Sequence, residues 1–430
     1  MKKIILIYIL QGILMATSIK HFEYKNINIP VIFENYKTLP IFNLQLIFKN
    51  SGYIKDTAKK SGLTSLSAKL LNEGTKKDGS VNFATKLESK AISIETSNGL
   101  ETFVIEVSCL KEQYKDALKL LNQLLSDPNL TEETLTKLKT LQISKLEQKQ
   151  DDFDYLAKTN LNSIVFKNTP LENSSLGKIE TVKNITLDDI KTNLKEIFNI
   201  NNLIIVAGGD ITYKELSKNL PHILDNFTQQ KIKHYPFINI TTKPTTKIEY
   251  KQTQQAYIYF AAPLDLKYND KDIYKAKVAS FILGSSGFGS RLMEEIRVKR
   301  GLAYSAYSRF ITAKSYSCFS GYLQTKLDNQ TKAQQLVKKV IKNFIKKGAT
   351  QEELDSAKQF LQGSEPLRTE TFSLRQNKAF NLYYKGLSQD YAKKELKLIE
   401  NLTLDELNNF IKQHKEIIDL SFSIITKDNK

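Results

Sequence analysis

The same order of strands and helices is written twice along this 430-residue chain, which limits the fold more than any single motif does. In the first half, extended apolar runs at 27–33 and 42–48 precede a helical pattern at 62–72 and alternating strands at 91–96 and 101–110. Ser97-Asn98-Gly99 lies between those strands and signals a turn. Helical periodicity returns at 112–125, 131–148, 155–166 and 187–198, with a break at 151–154, and a strand at 203–207 closes the half on Gly208-Gly209-Asp210. The second half repeats the order: strands at 247–251 and 256–262, helices at 271–283 and 291–299, and strands at 303–311 and 315–323. Helices at 332–345, 351–361, 372–383 and 404–414 and a strand at 420–425 complete it. Leu130-Thr-Glu-Glu-Thr-Leu and Ala349-Thr-Gln-Glu-Glu-Leu echo each other as helix starts, each with Thr as N-cap and acids in the first turn. A chain of this length exceeds one compact core. The expectation is an α+β protein of two homologous lobes, each a mostly antiparallel sheet covered by helices. Their bounds are 19–212 and 247–430, joined by a connecting segment at 213–246 that holds Pro221, Pro236 and Pro244.

Residues 1–18 read as a secretory signal peptide. Lys2 and Lys3 precede an apolar run, Ile4 to Ala16, too short to span a bilayer, and Ala16-Thr17-Ser18 supplies small residues for cleavage. A periplasmic or secreted location is therefore expected, with no stable membrane insertion. Cys109 and Cys318 each fall in a strand-like run and read as two buried thiols, a single bridge being the alternative in an exported chain. The net charge of +17 comes from Lys spread along amphipathic segments rather than from a basic block with interleaved aromatics, so nucleic acid is not an expected partner. Arginine is distributed differently. All six (Arg291, Arg297, Arg300, Arg309, Arg368 and Arg375) lie in the second half of a chain that uses Lys wherever a generic cation suffices. An Arg here marks a position that needs the planar, multi-donor guanidinium.

One run carries more. Arg297-Val-Lys-Arg-Gly-Leu-Ala-Tyr304, preceded by Phe288-Gly-Ser-Arg-Leu-Met-Glu-Glu-Ile296, resembles the second-lobe signature of the pitrilysin (insulysin) family of zinc peptidases. The resemblance implies that Arg297 and Tyr304 reach a bound peptide, donating to its carbonyl oxygens. Gly284-Ser-Ser-Gly-Phe-Gly289 lacks the Gly-Lys-Ser/Thr of a phosphate loop and reads as a hinge.

The first lobe carries the family's frame without its chemistry. Gly62-Leu-Thr-Ser-Leu-Ser-Ala-Lys-Leu-Leu-Asn-Glu-Gly-Thr75 is similar to the zinc helix, Gly-Leu in front and Gly-Thr behind. Active members place His-x-x-Glu-His inside it, two zinc ligands and the base that activates water. The matching positions here are Ser65, Ala68 and Lys69, and the third ligand, a Glu on a later helix, falls at Lys145. A hydroxyl and two ammonium groups do not bind a dication. The four His (His21, His222, His234 and His414) show no i, i+4 spacing, and Glu73 and Glu147 do not rebuild the cluster.

The resemblance spans about 22–427 and implies a processing-peptidase-like fold with no metal and no catalytic residue in this chain. In such families short bacterial members often work as pairs. The expectation is a non-catalytic subunit of a heterodimeric zinc endopeptidase, whose partners are a zinc-bearing pitrilysin-type subunit and a peptide substrate. A purely structural or peptide-binding pseudo-enzyme is the alternative. The export reading predicts that native protein, recovered outside the cytoplasm, starts near residue 18 on N-terminal sequencing. A cytoplasmic form starting at Met1 would overturn it.

Overall fold

The computed structural model describes residues 17–428, so Lys2, Lys3 and the Ile4–Ala16 run lie outside the described residues. Two mixed sheets organise it. The first holds β1 (Ser18–Tyr24), β2 (Ile27–Asn35), β3 (Ile41–Lys49), β4 (Ser93–Asn98), β5 (Thr102–Leu110) and β6 (Leu203–Gly209), in the order β1-β2-β6-β3-β5-β4. The second holds β7 (Thr246–Tyr250), β8 (Gln255–Pro263), β9 (Ala303–Thr312), β10 (Ser317–Lys326) and β11 (Ser421–Thr426), in the order β7-β11-β8-β10-β9. Leaving out β1, the orders are identical: the last strand of each set lies between the first two. Each sheet has one parallel pair, β2 with β6 and β7 with β11. The repeat expected from the sequence is thus a repeat of topology.

Several segments differ from the sequence reading, which places no strand at Ser18–Tyr24 and no helix at Gly79–Glu88 or Tyr391–Asn401. Tyr213–Leu224, expected within a connector because of its proline, is a helix with Pro221 near its end, capped by Thr212 and Glu215. Its Leu216, Leu220, Ile223 and Leu224 pack into the first core. The β4–β5 turn lies at Leu100-Glu101 rather than at Ser97-Asn98-Gly99: the Gly99 amide donates to the Thr102 carbonyl at 2.8 Å, and Gly99, Leu100 and Glu101 accept hydrogen bonds at 3.1, 3.0 and 3.1 Å from the backbone of Tyr53, Ile54 and Ser51. Cys109 and Cys318 are free, buried thiols in separate sheets.

Four helices position the site: α1 (Leu63–Leu71), α2 (Glu132–Gln148), α3 (Phe153–Val165) and α4 (Phe372–Tyr384). Side chains alternate across a strand, so each sheet has two faces to cover. In the first lobe Val31, Phe33, Leu46, Phe48, Ile205 and Ala207 face its own helices. Their neighbours Ile32, Ile47, Ile204 and Val206 face the other way and are covered by Ala379, Phe380 and Tyr383 of α4, from the second half of the chain. The exchange is mutual. The second sheet sends Ile258, Phe260, Phe319 and Phe422 into its own core, whereas Ile425, Tyr257 and Tyr259 meet Leu156 and Ala157 of α3, from the first half. Burying one large aliphatic side chain contributes about 1.5–3 kcal/mol, so neither open sheet face is stable uncovered.

Polar contacts fix the docking angle of both helices. Glu34, 1% exposed, accepts from Arg375 Nε at 2.8 Å and pairs with its terminal nitrogen at 2.7 Å. Tyr384 Oη donates to Glu101 at 2.9 Å, and Glu101 also accepts from the Ser315 backbone at 2.7 Å. On the other side Asn160 of α3 donates to Glu249 at 2.6 Å and accepts from Lys247 at 2.7 Å. Replacing Arg375 with Ala strands a buried carboxylate, which predicts a loss of about 3 kcal/mol in urea-unfolding free energy. The double variant Glu34→Gln, Arg375→Met should lose less.

Candidate functional site

The degenerate zinc helix keeps its backbone for local reasons. Gly62, at the N-terminus of α1, has φ 95°, and a Cβ there would meet the Leu176 carbonyl oxygen at 2.7 Å. Gly74, beyond its end, has φ 76° and would strike Gly79 and Phe83 at 2.8 Å. Only glycine fits both positions, so the frame persists whatever stands between. Asp56 caps the helix, accepting from the Gly62 and Thr64 amides at 3.1 and 3.2 Å and from the Thr64 hydroxyl at 2.5 Å. Burial, only partly offset by these donors, pushes its carboxyl up to about 6.

Inside the frame, Ser65 and Ala68 are buried, and the Ala68 carbonyl accepts from Thr96 Oγ1 at 2.9 Å. Lys69 Nζ donates to Gln142 of α2 at 2.6 Å, and the fully buried Gln142 amide donates on to the Leu176 carbonyl at 2.8 Å. The Lys69 ammonium is held below its ordinary pKa by burial and then by the charge of Lys145. The structure therefore brings Lys69 and Lys145 to one place, as the alignment of the two helices requires. These groups do not fit a metal: two ammonium donors repel a dication, and the Lys69 side chain is tied to Gln142. Glu73, the nearest acid in sequence, is held by Ser80 and Lys137 at 2.6 and 2.8 Å. Among the described residues no group of three or more His, Cys, Asp or Glu could hold a metal ion.

The second set lies on the second lobe. Arg297 sits in a π-helical turn, Glu294–Val298. That turn ends in a left-handed glycine cap: the Gly301 amide donates to the Arg297 carbonyl at 2.8 Å, and the Leu302 amide to that of Ile296 at 2.9 Å, with Gly301 at φ 59°. The reversal returns the chain so that Tyr304, in β9, lies under Arg297. The guanidinium carbon is 4.6 Å from the Tyr304 ring centroid and 4.7 Å from that of Phe288. Tyr304 is 80% exposed and Phe288 68%.

The other arginines show what is unusual here. Arg291 makes a two-pronged bond to Glu353, and Arg300, Arg368 and Arg375 pair with Glu295, Glu365 and Glu34. Arg297 and Arg309 have no carboxylate partner among the described residues. Among the described residues no hydrogen bond, ion pair or ring contact joins the Arg297–Tyr304 platform to the Lys69–Lys145 cluster. Two contributors were missed in the sequence. Asp56 lies in an irregular segment and signals only as a carboxylate ahead of a Gly. Gln142 signals as a polar residue on the apolar stripe of the 131–148 pattern.

A family model described as "Insulinase (Peptidase family M16)" matches residues 31–178, which contain Ser65, Lys69 and Lys145. A second, "Peptidase M16 inactive domain", matches residues 184–361, which contain Arg297 and Tyr304. A Helicobacter pylori protein named "Non-peptidase homolog YmxG" is 45% identical over the whole of both chains. The chain belongs to the M16 insulinase family. Among solved structures, the "peptidase M16 inactive domain" from Pseudomonas fluorescens superposes with a TM-score of 0.86 at 22% identity, over 96% of this chain and 98% of that one. A protease from Helicobacter pylori superposes with a TM-score of 0.82 at 16% identity, over 95% and 100%. These likenesses establish an M16 fold, whose metal helix here carries Ser65, Ala68 and Lys69. Among the described residues no helix is long and apolar enough to cross a membrane.

The Asp56 cap makes this M16 frame pH-sensitive. Its carboxyl titrates at about 6 when folded, against an ordinary 3.8, so the folded state binds more protons between those values. Stability then falls as pH rises from about 4 to 6, by on the order of 2–3 kcal/mol. Asp56→Asn should flatten that part of the profile, read as melting temperature against pH beside the unaltered protein.

Proposed function

We propose that this chain is the non-catalytic subunit of an exported, heterodimeric zinc endopeptidase. A zinc-bearing pitrilysin-type partner supplies the metal and the base, and this chain supplies Arg297 and Tyr304 to the bound peptide. The observation that carries the reading is the free Arg297–Tyr304 platform. In a chain where four of six arginines are held by carboxylates, Arg297 is held only by two rings, and it keeps its N–H donors open.

The chemistry follows from the donors. A peptide carbonyl gains negative charge on oxygen as it is attacked, and preorganised N–H and O–H groups stabilise that charge more than they stabilise the starting amide. Ring stacking fixes the guanidinium plane, so little side-chain entropy is lost on engagement. The glycine cap at Gly301 fixes the offset between guanidinium and phenol. Ser65, Ala68, Lys69 and Lys145 take no part in the reaction; they close the helix frame of the first lobe. The name of the Helicobacter pylori relative, a non-peptidase homologue, agrees with a chain that does not cleave by itself.

A scaffold without a role in proteolysis is the competing reading, and one experiment separates the two. Each variant is mixed with the zinc-bearing partner, and complex formation, melting temperature and peptide turnover are measured separately. Tyr304→Phe and Arg297→Lys should each lower turnover by on the order of 10–1000-fold, the range for an electrostatic stabiliser of a developing oxyanion, with assembly and melting unchanged. Normal turnover from the Arg297→Ala, Tyr304→Phe double variant would leave the scaffold reading.

A further inference from the structure

The second arginine without a carboxylate partner, Arg309, lies away from that platform, in the seam between the lobes. There a cavity of about 420 Å³ opens between α3 and the outward face of the second sheet. Its wall follows from strand periodicity. Tyr307, Arg309 and Ile311 alternate along β9, and Cys318, Ser320 and Tyr322 along β10, with Tyr259 and Ala261 on β8 facing the same way. The facing wall is Leu161, Val165 and Phe166, with Lys158 at the rim.

Three features of this space go together. The tyrosines form a continuous aromatic surface: Tyr259 stacks on Tyr322 with centroids 5.3 Å apart and planes 17° apart, and Tyr307 lies 5.9 Å from Tyr322. Tyr53, Tyr307, Tyr316 and Tyr322 line the cavity, and their hydroxyls have no hydrogen-bond partner in the protein among the described residues. The rim is cationic. Arg309 lies over the Tyr307 ring at 5.9 Å, Lys158 has no hydrogen-bond or ion-pair partner among the described residues, and no Asp or Glu lines the cavity. The nearby carboxylate of Asp154 is already engaged, accepting from Tyr259 Oη at 3.1 Å.

We propose that this inter-lobe cavity binds a small organic acid, a carboxylate on an aromatic or apolar body. Arg309 and Lys158 take the carboxylate, the open phenols donate to its second oxygen, and the tyrosine wall with Leu161 and Val165 packs the body. The volume is in the range of small-molecule sites. A free aromatic acid and the C-terminal residue of a short peptide present the same chemistry. The site uses neither Arg297 nor Tyr304, so it stands or falls independently of the peptidase reading.

The test uses the full-length processed chain in calorimetric titration with N-acetyl-phenylalanine, the tripeptide N-acetyl-Ala-Ala-Phe with a free carboxylate, and the C-terminal amide of each. Both acids should bind, and both amides about tenfold or more weaker, since amidation removes the charge-assisted bonds. Tighter binding of the tripeptide would identify a peptide C-terminus as the source, and tighter binding of the single residue a free acid. Arg309→Gln and Lys158→Gln should weaken the acids about tenfold without shifting the melting temperature. Equal affinity for acid and amide, undiminished binding in Arg309→Gln, or no binding of either acid at millimolar concentration would overturn the proposal.

Discussion

The exchange of helices α3 and α4 between the two sheets holds this molecule together. A mixed sheet with apolar residues on both faces needs two covers. Each lobe's own helices provide one, and the chain obtains the other by sending a helix across to its counterpart. Ile32, Ile47, Ile204 and Val206 are dry because α4 lies on them, and Ile425 because α3 does, with Tyr257 half-buried beside it. The lobes are therefore one folding unit in energy although they are two repeats in sequence. The buried Glu34–Arg375 pair adds little net stability by itself. Its effect is to make any other docking angle of α4 expensive, since a displaced helix would leave a carboxylate in the core.

The clasp also accounts for the positions of the chemically distinctive groups. With the second sheet's outward face only partly covered by α3, the uncovered part becomes the tyrosine-lined cavity with Arg309 at its rim. The end of β9 beyond that cavity presents Tyr304 to solvent, and the glycine cap at Gly301 aims Arg297 at it. In the first lobe α1 and α2 remain packed side by side, the arrangement a three-ligand metal site requires. The ligands, however, are replaced by a lysine–glutamine bond. Fold and chemistry have separated. The glycines that shape the frame are demanded by backbone sterics, and they persist where the metal-binding residues do not.

Charge follows the same division. Lysines pair singly with acids on the surface, where each such pair contributes little. Arginines occupy positions where geometry matters: Glu353 is gripped through two prongs, Glu34 inside the core. Against that background, the two arginines stacked on rings and facing no carboxylate are the groups left available to something outside the chain.

The order of strands and helices along both halves is visible in the residues, because period-two and period-3.6 apolar repeats arise from local geometry, whereas the order of strands within each sheet is not. The Gly62–Thr75 frame and the Arg297–Tyr304 pair were legible only through their resemblance to the family's motifs, and the left-handed glycines at 62, 74 and 301 give the local reason for their shape. The helix at Tyr213–Leu224 was hidden by its proline, which near a helix end removes few hydrogen bonds. The place of the β4–β5 turn was hidden because the backbone it bonds, Ser51 to Ile54, lies far away in sequence. Tertiary structure alone decided that α3 and α4 change sides, that Gln142 takes the Lys69 ammonium, and which arginines keep a carboxylate. Each depends on which surfaces meet, and a residue pattern fixes the apolar face of an element without naming the face that will cover it.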